Sequence, residues 1–467
     1  MSVALLAVGA WLVAPYVRAE ETEKPKKEQK EQPKEEEKAE QITEKAEKDE
    51  TSDERTDEQA KKKKIERRKA QQEAQRKAME DYMEKRKKEE EARKADPAWK
   101  ASHEQVAVIQ VIDDEGKPFK LNNFCLNTDG NVLAACGGQW NKRVKGDESG
   151  KFKVITVSEP AAICVLSPEG KLLKSWPLEF KPQAICVANN GEIFVGGAGR
   201  LAKLDQNGKV LAMAESPAVA VEKTEPKKET DGDKDTEKKK TEKEETALTK
   251  VATSILRALG FRSKEWEEER AKEEAARVAA AMIRRAREVT GIAVTGDDLF
   301  VARPMVKSWG YAVWRTNRQF TEPKRIIKGL RGCCGQMDIQ AKDGEVWVAH
   351  NARHRVERYD RDGKKLFSFG KRDRKEAKGF GGCCEPKNLR FGAEGEVYTS
   401  ESGPPVAIKR FTVEGDFLGV VGVPEYKTGC VRATVDVSRD GSRVFVFNPG
   451  GNAIHVLTDK RSIPVSE

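Results

Sequence analysis

The chain has 467 residues, of which 35% are charged and 37% hydrophobic, and its formal net charge is +9. Most of the charge lies in two segments, residues 20–95 and 222–287, and the remainder has an ordinary globular composition with ample length for a core. No apolar stretch after the N-terminus is long enough to cross a bilayer, which excludes a protein with several membrane spans.

The N-terminus begins with an apolar segment, MSVALLAVGAWLVAPYVRAEE. A run from Val3 to Val17 that ends in small residues is typical of a secretory signal peptide, so we predict a signal peptide at 1–19 and cleavage after Ala19. The protein is then exported to the periplasm or the extracellular space. The alternative is an uncleaved anchor, because no Lys or Arg precedes the run, and only in that case do we expect membrane contact.

A charged arm follows at residues 20–100. Its first part mixes Lys and Glu without aromatic residues, a composition typical of a disordered linker. From Arg55 to Lys94 there is no Gly or Pro, which favours a helix, but the apolar residues are too sparse for heptads. We predict either a solvated spacer or a partner-binding, weakly coiled-coil arm. Interspersed Glu residues and export argue against nucleic-acid binding.

The segment 101–467 repeats one pattern, in which two apolar runs flank a tight turn. The turn glycines of five copies are Gly130, Gly191, Gly344, Gly395 and Gly441. A degenerate sixth copy lies at 292–303, so the unit has about 45 to 60 residues, the length of a four-stranded blade. We predict an all-β fold, a six-bladed β-propeller, with a charged helical or disordered N-terminal arm and a helical insertion.

The ends of the repeat region indicate how the ring closes. The last repeat has three obvious strands, while an unpaired apolar strand from Val106 to Asp114 precedes the first repeat. We predict that this N-terminal strand completes the C-terminal blade, which leaves few unpaired sheet edges.

The fourth repeat, MDIQAKDGEVWVAHNARHRVERYDRDGKKLFSFG from Met337, resembles the NHL repeat. The resemblance lies in the Asp-Gly turn, in Asn351, His354, Arg355 and Val356, and in the terminal Phe-Gly. The fifth repeat replaces this polar core with Ser-Gly-Pro-Pro at 402–405. The resemblance implies an NHL-like propeller and leaves the function open, because propellers carry unrelated activities.

A second charged segment, predicted as an insertion at 217–290, interrupts the propeller between blades two and three. A disordered tract is expected at 222–245, and apolar residues with helical spacing follow at Leu248, Val251, Ile255, Leu256 and Leu259. A second helix is predicted around Ala276, Ala279, Ala280 and Ile283. The insertion is either a clamp over blade three or a docking element.

Nine cysteines are present, and an odd number leaves at least one thiol unpaired within a monomer. We expect four of them to pack as small buried hydrophobes, with a Cys125–Cys186 interaction as the alternative: Cys125, Cys136, Cys164 and Cys186. The other five stand just before the inner strands of blades four to six and are predicted to share one rim of the channel: Cys333, Cys334, Cys383, Cys384 and Cys430. They brace Gly-rich loops, form vicinal disulfides, or bind a soft metal such as Cu(I) or Zn.

Polar residues accompany this cysteine-rich rim. The inner-strand position of Cys125 and Cys186 is taken by Arg390, by Asp436 and, if blade four has one extra turn residue, by Asp338. Nearby residues complete the predicted ligand-binding rim or, alternatively, a salt network that lines a wet channel: Gln336, Glu385, Lys387, Asn388 and Arg432.

These patterns favour a binding or scaffold module for a protein or small-molecule ligand over catalysis. The resemblance keeps one enzyme class open, because six-bladed lactonases and the amidating lyase hold Ca or Zn with inward carboxylates, amides or His. In this chain a metal-dependent hydrolase or lyase would use Asp338, Asp436, Glu385 and Asn388. A soft-metal or redox protein is the third hypothesis. No nucleophile elbow, Ser-His-Asp signature or phosphate loop is present.

Overall fold

A computed structural model describes residues 46–463, except 114, 146–151, 218–263, 306–309, 333–335, 404–405, 426–428, 430, 449 and 451. These residues form six four-stranded antiparallel sheets and two long helices, α1 (Ala46–Ala95) and α2 (Lys264–Ala286). The predicted six-bladed propeller is confirmed. The predicted signal peptide, the linker up to residue 45 and the first insertion helix lie outside the described residues.

The blades follow one another along the chain. Blade 1 contains β2 (Leu121–Leu126), β3 (Val132–Lys145), β4 (Phe152–Leu166) and β5 (Leu172–Leu178); blade 2 contains β6 (Ala184–Val187), β7 (Ile193–Gly197), β8 (Arg200–Leu204) and β9 (Val210–Glu215). Blade 3 contains β10 (Gly291–Val294), β11 (Asp298–Pro304), β12 (Tyr311–Asn317) and β13 (Lys324–Leu330); blade 4 contains β14 (Asp338–Lys342), β15 (Glu345–His350), β16 (Arg355–Tyr359) and β17 (Lys365–Phe369). Blade 5 contains β18 (Asn388–Phe391), β19 (Val397–Ser400), β20 (Ile408–Phe411) and β21 (Phe417–Gly422). Blade 6 contains β22 (Val435–Val437), β23 (Arg443–Asn448), β24 (Ala453–Asp459) and β1 (His103–Gln110).

The ring closes through its first strand. β1 pairs antiparallel with β24, from His103 opposite Asp459 to Gln110 opposite Ala453. Blade 6 therefore has the order β1-β24-β23-β22, with the outermost strand supplied by the N-terminal side of the propeller. The predicted closure is confirmed, and the strand begins at His103, three residues before the predicted start.

The turn glycines explain why the repeat is visible in the sequence. All five adopt a positive φ, between 71° and 88°, in the turn that joins the first two strands of blades 1, 2, 4, 5 and 6. A residue with a Cβ is strained there, so Gly recurs wherever the chain must reverse this tightly.

The core lies between neighbouring blades. One apolar cluster joins Phe124 and Cys136 of blade 1 to Phe445 of blade 6, and another joins Cys125 of blade 1 to Ile185 of blade 2. All four cysteines of blades 1 and 2 are buried, in agreement with a packing role. The Cys125 and Cys186 thiols are free, and burial raises the pKa of Cys186 to about 12.

The hairpin of blade 1 and the N-terminal helix depart from the repeat. β3 and β4 extend past the blade as a long hairpin, in register as far as Lys145 opposite Phe152. α1 is longer than the predicted helix, and the chain divides into two compact units between Met83 and Glu84. Neither described helix has the length and apolar character required to cross a membrane.

Candidate functional site at the N-terminal mouth of the channel

Each inner strand, β2, β6, β10, β14, β18 or β22, starts at the same end of the central channel, which we call the N-terminal mouth. The segments that lead into these strands converge there. Arg432, just before β22 of blade 6, donates from Nη1 to the Asn122 carbonyl of blade 1 at 3.3 Å and to the Gln183 carbonyl of blade 2 at 2.7 Å. Residues far apart in the sequence therefore meet at this mouth.

Three predicted site residues connect neighbouring blades along the channel wall. Asp338 Oδ2 accepts from the Leu389 N–H at 3.1 Å, Asn388 Oδ1 from the Val435 N–H at 3.1 Å, and Asp436 Oδ2 from the Leu126 N–H at 2.8 Å. These bonds join blades 4 to 5, 5 to 6 and 6 to 1. These side chains therefore stabilise the contacts between neighbouring blades, because a buried backbone N–H without a partner is destabilising.

The position of Asp338 corrects one expectation from the sequence. Asp338 lies opposite Ala349 as Asn388 lies opposite Ser400, so Asp338 occupies the position of Asn388, and Gln340 occupies that of Arg390. The reason is the turn of blade 4, where pairing continues to Lys342 opposite Glu345, whereas blade 5 pairs only to Phe391 opposite Val397. Blade 4 thus has a tighter turn and not an extra turn residue.

Arg390 provides the positive charge of the wall. Its Nε lies 3.6 Å from Asp436 Oδ2, and its side chain is 9% exposed. Burial raises the pKa of Asp338 to about 6, although Arg390 and the Leu389 N–H favour its ionised form. The wall is therefore a network of partly neutralised charges, as the salt-network alternative supposes.

The cysteine-rich rim is described only in blade 5. Cys383 is exposed and Cys384 is 1% exposed, while Cys333, Cys334 and Cys430 lie outside the described residues. Lys387, itself fully buried, donates from Nζ to Cys384 Sγ at 2.8 Å. The convergence of five sulfurs on one rim stays a prediction, and no group of three His, Cys, Asp or Glu within the described ranges is placed to hold a metal ion.

Glu385 supports the backbone of blade 5. Its Oε1 accepts from the N–H groups of Ser402 at 3.1 Å and Gly403 at 2.8 Å, in the stretch that replaces the polar NHL core. Burial raises the pKa of Glu385 to about 8, and Lys387 opposes this shift. Near neutral pH the side chain is accordingly a protonated acid that braces a loop.

Replacing Glu385 by Gln is expected to stabilise the protein at alkaline pH. The folded pKa of about 8 lies above the ordinary 4.5, so folding takes up a proton and wild-type stability falls as pH rises from 4.5 through 8. Glu385→Gln keeps an oxygen that accepts from the Ser402 and Gly403 N–H groups, and its amide does not ionise in this pH range. Its gain over wild type in urea denaturation should grow to a few kcal/mol at about pH 9.

Glu394→Gln, in an exposed turn of the same blade, is the matched control. Its stability should follow that of wild type across the pH range. A Glu385→Gln curve that stays parallel to wild type from pH 5 to 9 would contradict the assignment of a raised pKa.

Sequence reasoning missed two cations at the N-terminal mouth. Lys120 and Lys181 stand on the segments into blades 1 and 2, and Arg432 stands on the segment into blade 6. Burial lowers the pKa of all three, and that of Lys181 falls further through repulsion from Arg432 and Lys120. The available signal was a basic residue one to three positions before the inner strand, at Lys120, Lys181, Lys387 and Arg432.

Acidic groups compensate these cations only in part. Glu159 Oε2 accepts from the backbone N–H of Lys120 at 3.0 Å. Glu288 lies close enough to Arg285, Arg432 and Lys181 for their positive charges to lower its pKa. Burial nevertheless raises the pKa of Glu288. Asp338 also attracts Arg432, while Arg284 and Arg285 add positive charge beside Glu288, so cations outnumber acidic groups around this mouth.

A cavity of about 720 Å³ adjoins this mouth. It lies between blades 1 and 2 and the C-terminal end of α2, and its lining includes Lys181, Gln183, Glu288, Ile283 and Arg284. α2 also contacts blade 3, where the Arg285 guanidinium lies 5.4 Å from the Tyr311 ring centroid. The insertion therefore forms one wall of a pocket beside the basic mouth.

Comparison with known proteins gives only weak structural similarity. No protein-family model and no curated protein matches the chain. A Bacteroides caccae protein of unknown function is similar with a TM-score of 0.34 and 12% identity, over 61% of this chain and 78% of that one. The WD40 domain of Neurospora crassa Pan2 is similar with a TM-score of 0.39 and 11% identity, over 79% of this chain and 100% of that one. The six-bladed architecture rests on the sheet topology itself.

Proposed function

We propose that this chain is an exported, NHL-like propeller that serves as a binding module, and that its N-terminal mouth takes the carboxylate or phosphate group of a ligand or protein partner. One observation carries the proposal: Lys120, Lys181 and Arg432 reach the same mouth from three blades. Export and the NHL assignment are supported by the N-terminal pattern and by the fourth repeat.

Burial explains why an anion would be favoured there. The lowered pKa values of the three cations mean that each charged form is destabilised by lost solvation, and Lys181 is repelled by its two neighbours as well. An anion at the mouth relieves the repulsion and accepts charge-assisted hydrogen bonds, each worth about 1.5 to 3 kcal/mol. The neighbouring cavity has room for the rest of a ligand.

A metal-dependent hydrolase would require the same residues to bind a metal ion in addition to their present hydrogen bonds. Asp338, Asn388 and Asp436 each have an oxygen that already accepts a backbone N–H from the next blade, and Glu385 braces a loop. Binding is the function that the geometry favours.

Anion binding is tested by thermal unfolding with citrate, phosphate and pyrophosphate at fixed ionic strength. A ligand that binds only the folded state raises Tm, so wild type should show a concentration-dependent rise with at least one of these anions. Arg432→Gln and Lys181→Met should each weaken the fitted affinity about tenfold or more, because each removes a charge-assisted hydrogen bond.

Lys174→Met is the control, since Lys174 is an exposed lysine of β5 in blade 1. Its affinity should equal that of wild type. The proposal fails if no anion raises Tm, or if the control loses as much affinity as the two mouth variants.

A further inference from the structure

The segment that enters blade 5 places a buried amine against a buried sulfur. Lys387 Nζ lies 2.8 Å from Cys384 Sγ, with exposed fractions of 0% and 1% for the two residues. A lysine is rarely buried in full, because its charge loses its hydration, so a specific partner is expected. Here a partner is the sulfur three residues earlier in the chain.

The surroundings hold this pair in place. The Lys387 carbonyl accepts from Gln336 Nε2 of blade 4 at 2.9 Å, and the Lys387 N–H donates to the Ser400 carbonyl at 2.8 Å. The lysine backbone is therefore tied to the segment before β14 and to β19. The amine and the sulfur are preorganised by packing and not brought together by chance motion of an exposed side chain.

We propose that Cys384 and Lys387 form a reversible covalent N–O–S cross-link when the protein meets hydrogen peroxide. The 2.8 Å separation is close to the distance that two single bonds through one oxygen span, so the bridge needs little movement of either residue. The cross-link makes this part of the propeller a redox-responsive modification site.

The reaction balances with peroxide as the only oxidant. One thiol and one amine react with two molecules of hydrogen peroxide to give one S–O–N bridge and three molecules of water. Sulfur and nitrogen each lose two electrons, and the two peroxides accept all four. The S–H bond and one N–H bond break, and their hydrogens leave in the water. Peroxide is small enough to reach a buried thiol when the surrounding structure opens locally.

Peptide mass mapping of the wild-type protein distinguishes the bridge from every other product. Trypsin cuts after Lys378 and Lys387 and releases residues 379–387 from the reduced protein. The cross-linked Lys387 is not cut, so peroxide should yield residues 379–390 with a gain of about 14 Da, one oxygen added and two hydrogens lost. A reducing agent should then restore the peptide 379–387.

Other oxidation products give different masses. A sulfenic acid adds about 16 Da and a Cys383–Cys384 disulfide removes about 2 Da, and both leave Lys387 open to trypsin. A direct S–N bond removes about 2 Da and blocks the cut. Any of these three products in place of the gain of about 14 Da overturns the proposal, and so does an unmodified peptide after peroxide treatment.

Two variants serve as matched controls. Cys383→Ser removes the exposed neighbouring thiol and should keep the full yield of the cross-link. Cys384→Ser should abolish it. Because the main measurement uses wild-type protein, the outcome does not depend on whether a variant of the buried pair folds.

Discussion

A chain that starts at Val111 is expected not to fold into a closed propeller. It lacks β1, seven residues of which lie opposite β24 in the last blade. Ile109, which is 3% exposed, packs in the cluster that joins blades 1 and 6, and removing a buried side chain of this size costs about 2 to 5 kcal/mol by itself. Loss of the whole strand also leaves β24 as an open edge, which favours aggregation.

The matched control is a chain that starts at Glu84, at the boundary of the second compact unit. It keeps β1 and the preceding Trp99, so it should elute as a soluble species and unfold cooperatively. The chain that starts at Val111 should neither elute as a soluble species in gel filtration nor unfold cooperatively when followed by circular dichroism. Cooperative unfolding of the Val111 chain at the Tm of the control would contradict ring closure through β1.

The sequence predicts the propeller well because its cause is local. Gly130 and Gly441 recur since five of the six blades reverse direction through a glycine with positive φ, and this requirement is independent of the rest of the chain. Closure was also predictable, because Val106 to Asp114 and the three-strand last repeat each lacked a partner.

The candidate site was less predictable because it depends on contacts across the ring. The sequence predicts Asp338 and Asp436 on the inner strands and Asn388 nearby, yet the bonds of all three to the next blade follow from sheet packing that no local pattern contains. The turn of blade 4 has one residue fewer than that of blade 5, where one extra residue was predicted, so Asp338 lies at the position of Asn388, two residues from that of Arg390. Arg432 contacts Asn122, which lies more than three hundred residues earlier in the chain, only because the ring closes.

The basic residues of the mouth show the same limit. Lys120 and Lys181 look like ordinary surface lysines in the sequence, and their lowered pKa values arise from burial at the meeting point of blades 6, 1 and 2. A lysine can be identified as a candidate site residue only when its environment is known, because the same lysine on an open strand would be fully hydrated.

Replacing Lys409 by Met is expected to destabilise the protein by about 3 to 5 kcal/mol. Lys409 and Glu401 are both fully buried and form an ion pair in blade 5. Glu401 Oε2 also accepts from the Gly381 N–H at 2.6 Å, and Lys409 Nζ lies 5.1 Å from the Trp99 ring centroid. Without the lysine, the buried carboxylate loses its ion-pair partner and keeps only the weaker attraction of Arg93.

The double variant Lys409→Met, Glu401→Gln separates this charge effect from lost packing. It keeps an oxygen for the Gly381 N–H and removes the uncompensated charge, so it should recover a large part of the lost free energy of unfolding in urea. Lys324→Met, which breaks the exposed pair with Asp362, should cost less than about 1 kcal/mol.

The pH dependence of the Lys409→Met defect follows from Glu401. Burial raises the pKa of Glu401 even beside Lys409, and the loss of that lysine raises the pKa further. A raised carboxyl pKa gives stability at low pH that is lost as pH rises, so Lys409→Met should be closer to wild type at pH 5 than at pH 8. Equal defects at both pH values, with no recovery in the double variant, would show that packing around Trp99 and not the buried carboxylate sets the stability of this blade.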